Sequence, residues 1–243
     1  MSVTINFDSA KFRSSLTQFS QLTGKGMEDV VRSEMGSLAR TIVRYTPPSN
    51  QKQGKDAVER DIRKLFTSPK DLFSNGAKIT RLRNLIDRQQ WNAAADFITN
   101  LQAFQKLKVA DSIDPALHQR YRQNGKVRTK SGPFVLIRDP QVLQAYIQKV
   151  QQHVGKAKAS WLAAVKKYGA SAVASWITKH GSAEGAVVDA LRDGSGYVES
   201  LTGNPAAVQL DARLNIVQRA AANTDKALNI KLEKTLGKLA KAV

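Results

Sequence analysis

The sequence has no cysteine, few aromatic residues and no long apolar run. Without cysteine, its 243 residues offer no disulfide, no thiolate nucleophile and no cysteine-ligated zinc site. No segment approaches the roughly eighteen uncharged apolar residues that a membrane-spanning helix needs. The segment Met1–Asp8 lacks the basic and apolar regions of a signal peptide. We therefore expect a protein without membrane contact, made in the cytosol and stabilised by packing or association.

Acidic residues are scarce relative to basic ones. The chain has 38 Lys and Arg against 20 Asp and Glu, which gives a net charge of +18 and a pI near 10.2. Such an excess favours a polyanionic or acidic partner. The alternative is a basic surface that only keeps the protein soluble. Apolar residues make up 42% of the chain, which is ordinary for a globular protein, so we expect a folded core.

The residue patterns of metal enzymes are lacking. His118, His153 and His180 are far apart, and none belongs to a His-Glu-x-x-His pattern. No group of acids has metal-site spacing either. Glu28-Asp29 and Glu34 are assigned to the start of a helix, where acids interact favourably with the helix dipole. The sequence predicts no metal site.

Nucleotide-binding and nucleophile motifs are also lacking. Gly24-Lys25-Gly26 and Gly194-Ser195-Gly196 do not have the further glycines and the Lys-Ser/Thr pair of a phosphate loop, so we assign both to turns. No Gly-x-Ser-x-Gly pattern is present. We therefore predict a protein that is not an enzyme, has no cofactor and takes no small-molecule substrate.

Apolar residues recur at helical spacing along most of the chain, which predicts several amphipathic helices. Asp8 is expected to cap the first helix, and Pro47-Pro48 to end the second. Trp161 and Trp176 lie at apolar helical positions and are expected to anchor the core. The predicted helices are Asp8–Thr23, Met27–Tyr45, Ala57–Phe66, two within Ile79–Phe104, Pro140–Val150, Lys156–Tyr168 and Ala172–His180.

The C-terminal part of the chain predicts one helix of about thirty residues, from Leu210 to Leu239, with an apolar stripe along its length. A helix of this length needs a partner, because helix propensity alone does not stabilise it. We expect it to lie in a protein interface or against the Met27–Tyr45 helix, with its lysines exposed. The predicted assembly residues are Leu210, Leu214, Val217, Leu228 and Leu232, and the predicted exposed lysines are Lys231, Lys234, Lys238 and Lys241.

Strand signals are few. Phe134–Ile137 is the strongest, and Ala186–Val188 with Tyr197–Leu201 predicts a hairpin or an ordered loop. The fold class is therefore α+β and predominantly α-helical, with several amphipathic helices, a small β-sheet or hairpin and a long C-terminal helix. We expect a single structural domain over residues 1–243, with an inserted helical and basic segment around residues 70–130.

The segment from His118 to Lys130 has five cations and no acid, and Asn124-Gly125 is a turn signal. We predict a basic loop or hairpin whose cations neutralise DNA phosphates or meet an acidic partner, with Tyr121 against a base or sugar. The alternative is a solvated loop without a partner. The candidate contact residues are Arg120, Arg122, Lys126, Arg128 and Lys130.

Four segments together resemble a known family of minor virion proteins, which are encoded in the head-to-tail joining region of tailed bacteriophages and are grouped with tail-completion or neck proteins. The first two are ARTIVRYTPP at residues 39–48 and AVERDIRKLF at residues 57–66. The others are VGKAKASW at residues 154–161 and WITKHG at residues 176–181. The resemblance covers about half of the chain, and residues 70–130 have no counterpart in it.

The resemblance implies an α+β subunit with long helices beside a small sheet. It also implies a structural role at the head–tail junction of the virion, as a ring-forming homo-oligomer that binds other neck, connector or tail proteins. The protein would then be assembled in the bacterial host cytoplasm and become part of the virion, where it can contact packaged DNA. A non-sequence-specific nucleic-acid-binding protein is the alternative function.

Overall fold

A computed structural model describes residues 3–4, 10–73, 79–123, 126–127, 132–168, 173–189 and 198–240. Its helices are α1 (Ala10–Thr23), α2 (Met27–Tyr45), α3 (Gln51–Arg63), α4 (Pro69–Phe73), α5 (Thr80–Asp87), α6 (Trp91–Thr99), α7 (Pro115–Tyr121), α8 (Pro140–Gln151), α9 (Lys156–Ala159), α10 (Leu162–Lys167), α11 (Ser175–Thr178), α12 (Pro205–Leu214) and α13 (Ile216–Leu239). A 3₁₀ turn covers Gln102–Phe104.

The strands are short. They are β1 (Val3–Thr4), β2 (Phe66–Thr67), β3 (Lys108–Ala110), β4 (Arg122–Gln123), β5 (Lys126–Val127), β6 (Val135–Ile137), β7 (Gly185–Asp189) and β8 (Val198–Thr202). The predicted fold class, a predominantly helical α+β protein with a long C-terminal helix, is confirmed. Among the described helices, none is long and apolar enough to cross a membrane.

The chain forms two compact units. Unit 1 consists of Met1–Gln51 and Val154–Val243, and unit 2 consists of Lys52–His153. The chain therefore leaves unit 1 once and returns to it once. The predicted single domain with an inserted segment around residues 70–130 stays a prediction. Unit 2, which interrupts unit 1, begins before residue 70 and ends after residue 130.

The core of unit 1 forms around α2, which packs against α1, α10 and α13. Leu38 and Ile42 of α2 are fully buried, together with Trp161 and Leu162. The bounds predicted for α2 are confirmed, since the backbone N–H of Thr46 bonds to Ile42 O and the prolines follow.

The end of α2 is tied to α9 by a buried lysine. The ammonium group of Lys158 donates a hydrogen bond to the carbonyl oxygen of Val43, and it lies 3.5 Å from that of Arg44. The last carbonyls of a helix lack partners within the helix, so a cation here satisfies them and interacts favourably with the helix dipole. Only 2% of Lys158 is exposed.

The predicted single C-terminal helix is wrong at one residue. Asn215 has φ 48° and ψ 45°, which is left-handed backbone, and it separates α12 from α13. The Asp211 carboxylate accepts a 2.7 Å hydrogen bond from the Val217 backbone N–H, which satisfies a donor at the start of α13. The apolar periodicity continues from α12 into α13, so the sequence pattern does not reveal the break at Asn215.

Two shorter helix predictions in unit 1 also need correction. The predicted helix Lys156–Tyr168 is divided into α9 and α10, and the structure forms α11 over only Ser175–Thr178 of the predicted Ala172–His180. The predicted hairpin is confirmed, because β7 pairs with β8 in antiparallel register and β8 also pairs with β1.

Unit 2 is built on a parallel three-stranded sheet in the order β2-β6-β3. The central strand, β6, confirms the predicted strand, and its three residues are all buried, as expected when both faces of a strand are covered. Helix α8 begins as predicted: the side chain of Asp139 accepts a hydrogen bond from Gln141 N, and Pro140 occupies the first turn. The two helices predicted within Ile79–Phe104 are confirmed as α5 and α6.

The third predicted helix, Ala57–Phe66, has different bounds in the structure. Helix α3 begins at Gln51 and ends at Arg63, and Phe66 lies in β2, where it pairs with Val135. Sheet pairing and complete burial of Phe66 therefore override the local helical periodicity.

The two ends of unit 2 meet, since Gln151 Nε2 donates a 3.1 Å hydrogen bond to Lys55 O.

A candidate anion-binding cleft

The basic segment predicted from the sequence is a helix followed by a hairpin. Its first part forms the end of α7 instead of a loop, and the predicted hairpin is confirmed as the antiparallel pair β4–β5. Arg122 and Lys126 of this hairpin line a cleft of about 420 Å³ in unit 2. Arg120 is exposed and lies outside the residues that line the cleft, and Arg128 and Lys130 lie outside the described residues.

Helix α3 supplies the opposite set of cleft residues. Ala57, Arg60 and Asp61 line the cleft from this helix, where their spacing places them on one helix face, and Lys64 lines it from the turn directly after the helix. The small side chain of Ala57 leaves space there. Four cations, from Arg60, Lys64, Arg122 and Lys126, therefore surround the cleft, and one carboxylate lies among them.

Asp61 organises the cleft. Its carboxylate accepts a hydrogen bond from the backbone N–H of Val127, and it lies 3.3 Å from Arg122 Nε and 3.7 Å from His118 Nε2. Burial raises the pKa of Asp61, but the His118 imidazole, the Val127 N–H and the Arg122 charge together hold that pKa below its ordinary value. Asp61 is therefore ionised at neutral pH and fixes the hairpin against α3.

His118 is buried beside Asp61, with 2% of the residue exposed. Its Nδ1 lies 2.9 Å from the hydroxyl of Tyr146, and its ring meets that of Phe66 edge to face. Burial raises the pKa of Tyr146, and which of the two groups donates in this contact depends on the tautomer of the ring. The Asp61 carboxylate 3.7 Å from Nε2 favours a proton on that nitrogen, and with the proton there Nδ1 accepts a hydrogen bond from the Tyr146 hydroxyl.

His118 Nε2 has no hydrogen-bond partner within the described part of the chain. The 3.7 Å separation from Asp61 is too long for a hydrogen bond, although the opposite charges attract when the imidazole is protonated. Buried polar atoms in proteins are nearly always paired. With a proton on Nε2, His118 therefore has a buried donor that the described residues leave unpaired.

The net charge of the surrounding unit has the same sign as the cleft. Residues 52–153 hold 19 of the 38 Lys and Arg but only 9 of the 20 Asp and Glu, for a net charge of +10. Arg60 and Lys126 form no ion pair with the described residues. Nor do the described residues include a group of three His, Asp or Glu that could hold a metal ion. The arrangement is suited to an anion.

Only part of this cleft is visible in the sequence. Arg122 and Lys126 were identified by their local charge, whereas Arg60 and Lys64 appeared only as members of a helix. The signal that could have found them is their spacing of four residues, which is about one helical turn and places two like charges on the same side of the predicted helix. Nothing in the sequence indicates that Tyr146 pairs with His118, 28 residues away.

The predicted assembly residues do not lie on one surface. Leu228 and Leu232 are 0% and 6% exposed and are buried in the chain's own core, so their side chains are not on a surface that a partner can reach. Leu228 packs with Leu16 and Val30 of α1 and α2. Leu210 and Val217 are half-buried against the core of unit 1, and Leu214 is exposed. The expected packing of the C-terminal helix against α2 is confirmed.

Lys231, Lys234 and Lys238 are exposed as predicted, and the ammonium group of Lys231 also forms an ion pair with the buried Glu34. The assignment of Glu34 to the start of a helix is wrong. Glu34 lies in the middle of α2 and not at its start, so its role is this pairing. Lys241 lies outside the described residues.

The two tryptophans discussed above have the predicted core role. Trp161 is buried, and Trp176 packs against the same cluster. Gly155 has φ 103°, and a Cβ at this position would meet the Trp176 ring at 2.8 Å, so the close packing requires glycine.

No protein-family model, curated protein or solved structure matches this chain.

Proposed function

We propose that the chain is a structural virion protein of a tailed bacteriophage that acts at the head–tail junction. In this role it forms a ring-shaped homo-oligomer and binds neighbouring neck, connector or tail proteins. The proposal starts from the four segments that resemble neck and tail-completion proteins. Three of them, at residues 39–48, 154–161 and 176–181, belong to the same compact unit, although more than a hundred residues separate the first from the second.

The observation that carries the proposal is the packing of these three segments around one core. Lys158, in the segment at residues 154–161, donates a hydrogen bond to Val43 O, in the segment at residues 39–48. Trp161, Ile42 and Ile177, one from each segment, belong to the same buried cluster. A resemblance that arose from scattered local similarity would not be expected to select residues that share a core. The segment at residues 57–66 contains the second half of α3 and the first residue of β2, both in unit 2.

Apolar side chains on α12 and α13 are suited to a neighbouring subunit. Leu214, Ile230 and Leu236 are 38%, 42% and 51% exposed. Burying exposed leucine and isoleucine side chains in a contact contributes about 1.5–3 kcal/mol each at most, which makes them candidates for an assembly surface. These residues replace the buried Leu228 and Leu232 as the predicted contact.

Particle assembly tests the proposal. Particles made without this protein should contain heads and tails that fail to join, and supplying the wild-type chain should restore joined, infectious particles. A chain carrying Leu214→Asp and Leu236→Asp should keep its melting temperature and fail to restore joining. A chain with Lys234→Gln and Lys238→Gln is the matched control and should restore it. Joined, infectious particles made in the absence of the protein would exclude this function.

A second candidate function is non-sequence-specific binding of nucleic acid through unit 2. The four cations of the cleft and the +10 charge of residues 52–153 favour it. Because phosphate neutralisation releases counterions, the logarithm of the affinity for duplex DNA should fall linearly with the logarithm of the salt concentration. Removing Arg60 and Lys126 together should reduce that slope by about 2. No affinity at low salt would end this candidate.

The two functions differ in stoichiometry. A ring component has a fixed, small number of copies in each particle, whereas a protein that coats DNA does not. Quantitative mass spectrometry of purified particles, with a major virion protein as the internal standard, measures this number. A fixed copy number supports the virion role, and a copy number that changes with DNA length supports the nucleic-acid role.

A further inference from the structure

The cleft of unit 2 contains donors of three chemical kinds around one space. Arg60 and Arg122 bring guanidinium groups, Lys64 and Lys126 bring ammonium groups, and His118 brings a buried imidazole N–H. These residues come from α3 and the turn after it, from α7 and from the β4–β5 hairpin, so separate elements of unit 2 supply them. The volume, about 420 Å³, lies within the range of small-ligand pockets.

The imidazole distinguishes this cleft from an ordinary basic surface. The Tyr146 hydroxyl lies 2.9 Å from Nδ1, and Nε2, on the other side of the ring, lies 3.7 Å from the Asp61 carboxylate, which lines the cleft together with His118. Asp61 is already occupied by Val127 N–H and Arg122, and it lies too far from Nε2 to accept its proton in a hydrogen bond. A buried donor without an acceptor costs free energy, and a bound oxyanion would remove that cost.

We propose that this cleft is a binding site for a phosphate group, with His118 Nε2–H as the buried donor and Arg60, Lys64, Arg122 and Lys126 as the neutralising cations. A tetrahedral phosphate has oxygens that point in several directions, and it accepts charge-assisted hydrogen bonds from separate elements. A metal cation is disfavoured because four positive charges surround a single carboxylate, which itself pairs with Arg122. The phosphate has two possible sources, the backbone of a nucleic acid and a free phosphate monoester. For the first source, this inference rests on the nucleic-acid candidate proposed above and names its binding site.

The histidine ring offers a direct measurement. The chain has three histidines, so nitrogen NMR of the full-length protein labelled at its histidine rings gives few signals. Inorganic phosphate should shift the Nε2 signal of His118 along a saturable curve. His180 is the internal control, because its Nε2 lies 2.9 Å from Val154 O and should not respond. A His118 signal that does not change at millimolar phosphate would overturn the inference.

Charge variants test the same site without disturbing the core. The double variant Arg60→Gln, Lys126→Gln changes two exposed side chains and should weaken phosphate binding at least tenfold at an unchanged melting temperature. The matched control, Lys106→Gln with Lys108→Gln, removes two exposed cations of unit 2 that do not line the cleft, and it should bind like wild type. Equal weakening in both pairs would mean that only the general charge matters, and the site would be rejected.

Two further ligands separate the sources of the phosphate. A short DNA duplex and the same duplex with an uncharged methylphosphonate backbone are each added to the labelled protein. If only the charged duplex shifts His118 Nε2, the site binds the nucleic-acid backbone. If inorganic phosphate shifts this signal and neither duplex does, the phosphate site stands, its source is a free phosphate group, and the nucleic-acid candidate fails. If the protein binds DNA in a salt-dependent way while His118 responds to neither ligand, the candidate function stands and the phosphate site fails.

Discussion

The ammonium nitrogen of Lys231 lies 2.6 Å from a carboxylate oxygen of Glu34, a residue 197 positions earlier in the chain. This ion pair joins α13 to α2 beside the packed apolar residues of unit 1. The Glu34 side chain is only 4% exposed, whereas that of Lys231 is 44% exposed. The pair therefore has one desolvated charge and one charge that still contacts water.

Replacing Lys231 by Met should destabilise the protein because it leaves the Glu34 carboxylate buried and without its cation. We expect a loss of about 1–3 kcal/mol in the free energy of unfolding. Urea denaturation measures it, with Lys234→Met, an exposed lysine of the same helix, as the control. Adding Glu34→Gln to Lys231→Met should recover part of the loss. A Lys231→Met variant as stable as the Lys234→Met control would contradict a stabilising role for the pair.

Lys158 should make stability depend on pH in the alkaline range. Burial lowers the pKa of Lys158 from 10.5 to about 8. Between these two values the unfolded chain binds the proton more tightly than the folded chain, so the free energy of unfolding should rise with pH from about 8 to about 10.5. Below pH 8 the cost of the buried ammonium is present in full.

Because other groups also titrate in this range, the measurement is the difference between wild type and Lys158→Met. As the pH is raised from 7.5 to 10, the unfolding free energy of wild type should rise relative to that of Lys158→Met. The size of the rise is set by the separation between the folded and unfolded pKa values of Lys158. A difference that stays constant over the range would show that the Lys158 pKa is not lowered in the fold.

Two leucines of the C-terminal stripe should respond differently to the same substitution. Leu228→Asp forces a carboxylate into a fully buried apolar site and should cost about 4 kcal/mol or more, which would abolish folding of a marginally stable chain. Leu214→Asp changes an exposed side chain and should cost about 0.5 kcal/mol or less. Circular dichroism during heating compares the two melting temperatures. Similar melting temperatures for the two variants would contradict the burial difference described above.

The left-handed backbone at Asn215 predicts a specific order of variants. Asn215→Gly should be tolerated within about 0.5 kcal/mol, because glycine adopts this conformation without strain. Asn215→Val should cost about 1–2 kcal/mol, since a β-branched residue is strained at positive φ. The same two substitutions at Asn223, inside α13, should reverse the order, because glycine is the poorer helix former there. Denaturant midpoints of the four variants check both orders.

Local sequence patterns were sufficient to predict the helix bounds that depend only on neighbouring residues. The bounds of α2 follow from its apolar spacing and from Pro47, and the start of α8 follows from Asp139-Pro140. Phe66 was misassigned because its partner, Val135, is remote in sequence and the pairing outweighs the helical spacing. The break at Asn215 was missed because a single left-handed residue leaves the spacing of the flanking leucines almost unchanged.

The candidate cleft shows the same division between local and distant information. Arg122 and Lys126 are visible in the sequence as a local excess of charge. Arg60 belongs to the cleft only because α3 and the hairpin lie together, and the Asp61 to Val127 N–H hydrogen bond spans 66 residues. The chemistry of His118 depends on Tyr146 and Asp61 at once, and no single stretch of sequence contains all three.

The hydrogen bond between Gln151 and Lys55 means that the chain enters and leaves unit 2 at neighbouring points. The tie between Lys158 and Val43 brings together the two chain ends of unit 1 that flank the interruption. A segment with adjacent ends closes a loop in its host, and the entropic cost of such a loop grows only with the logarithm of its length. A gene could therefore gain or lose the whole of residues 52–153, or exchange it for another module, while the helices that build unit 1 keep their contacts.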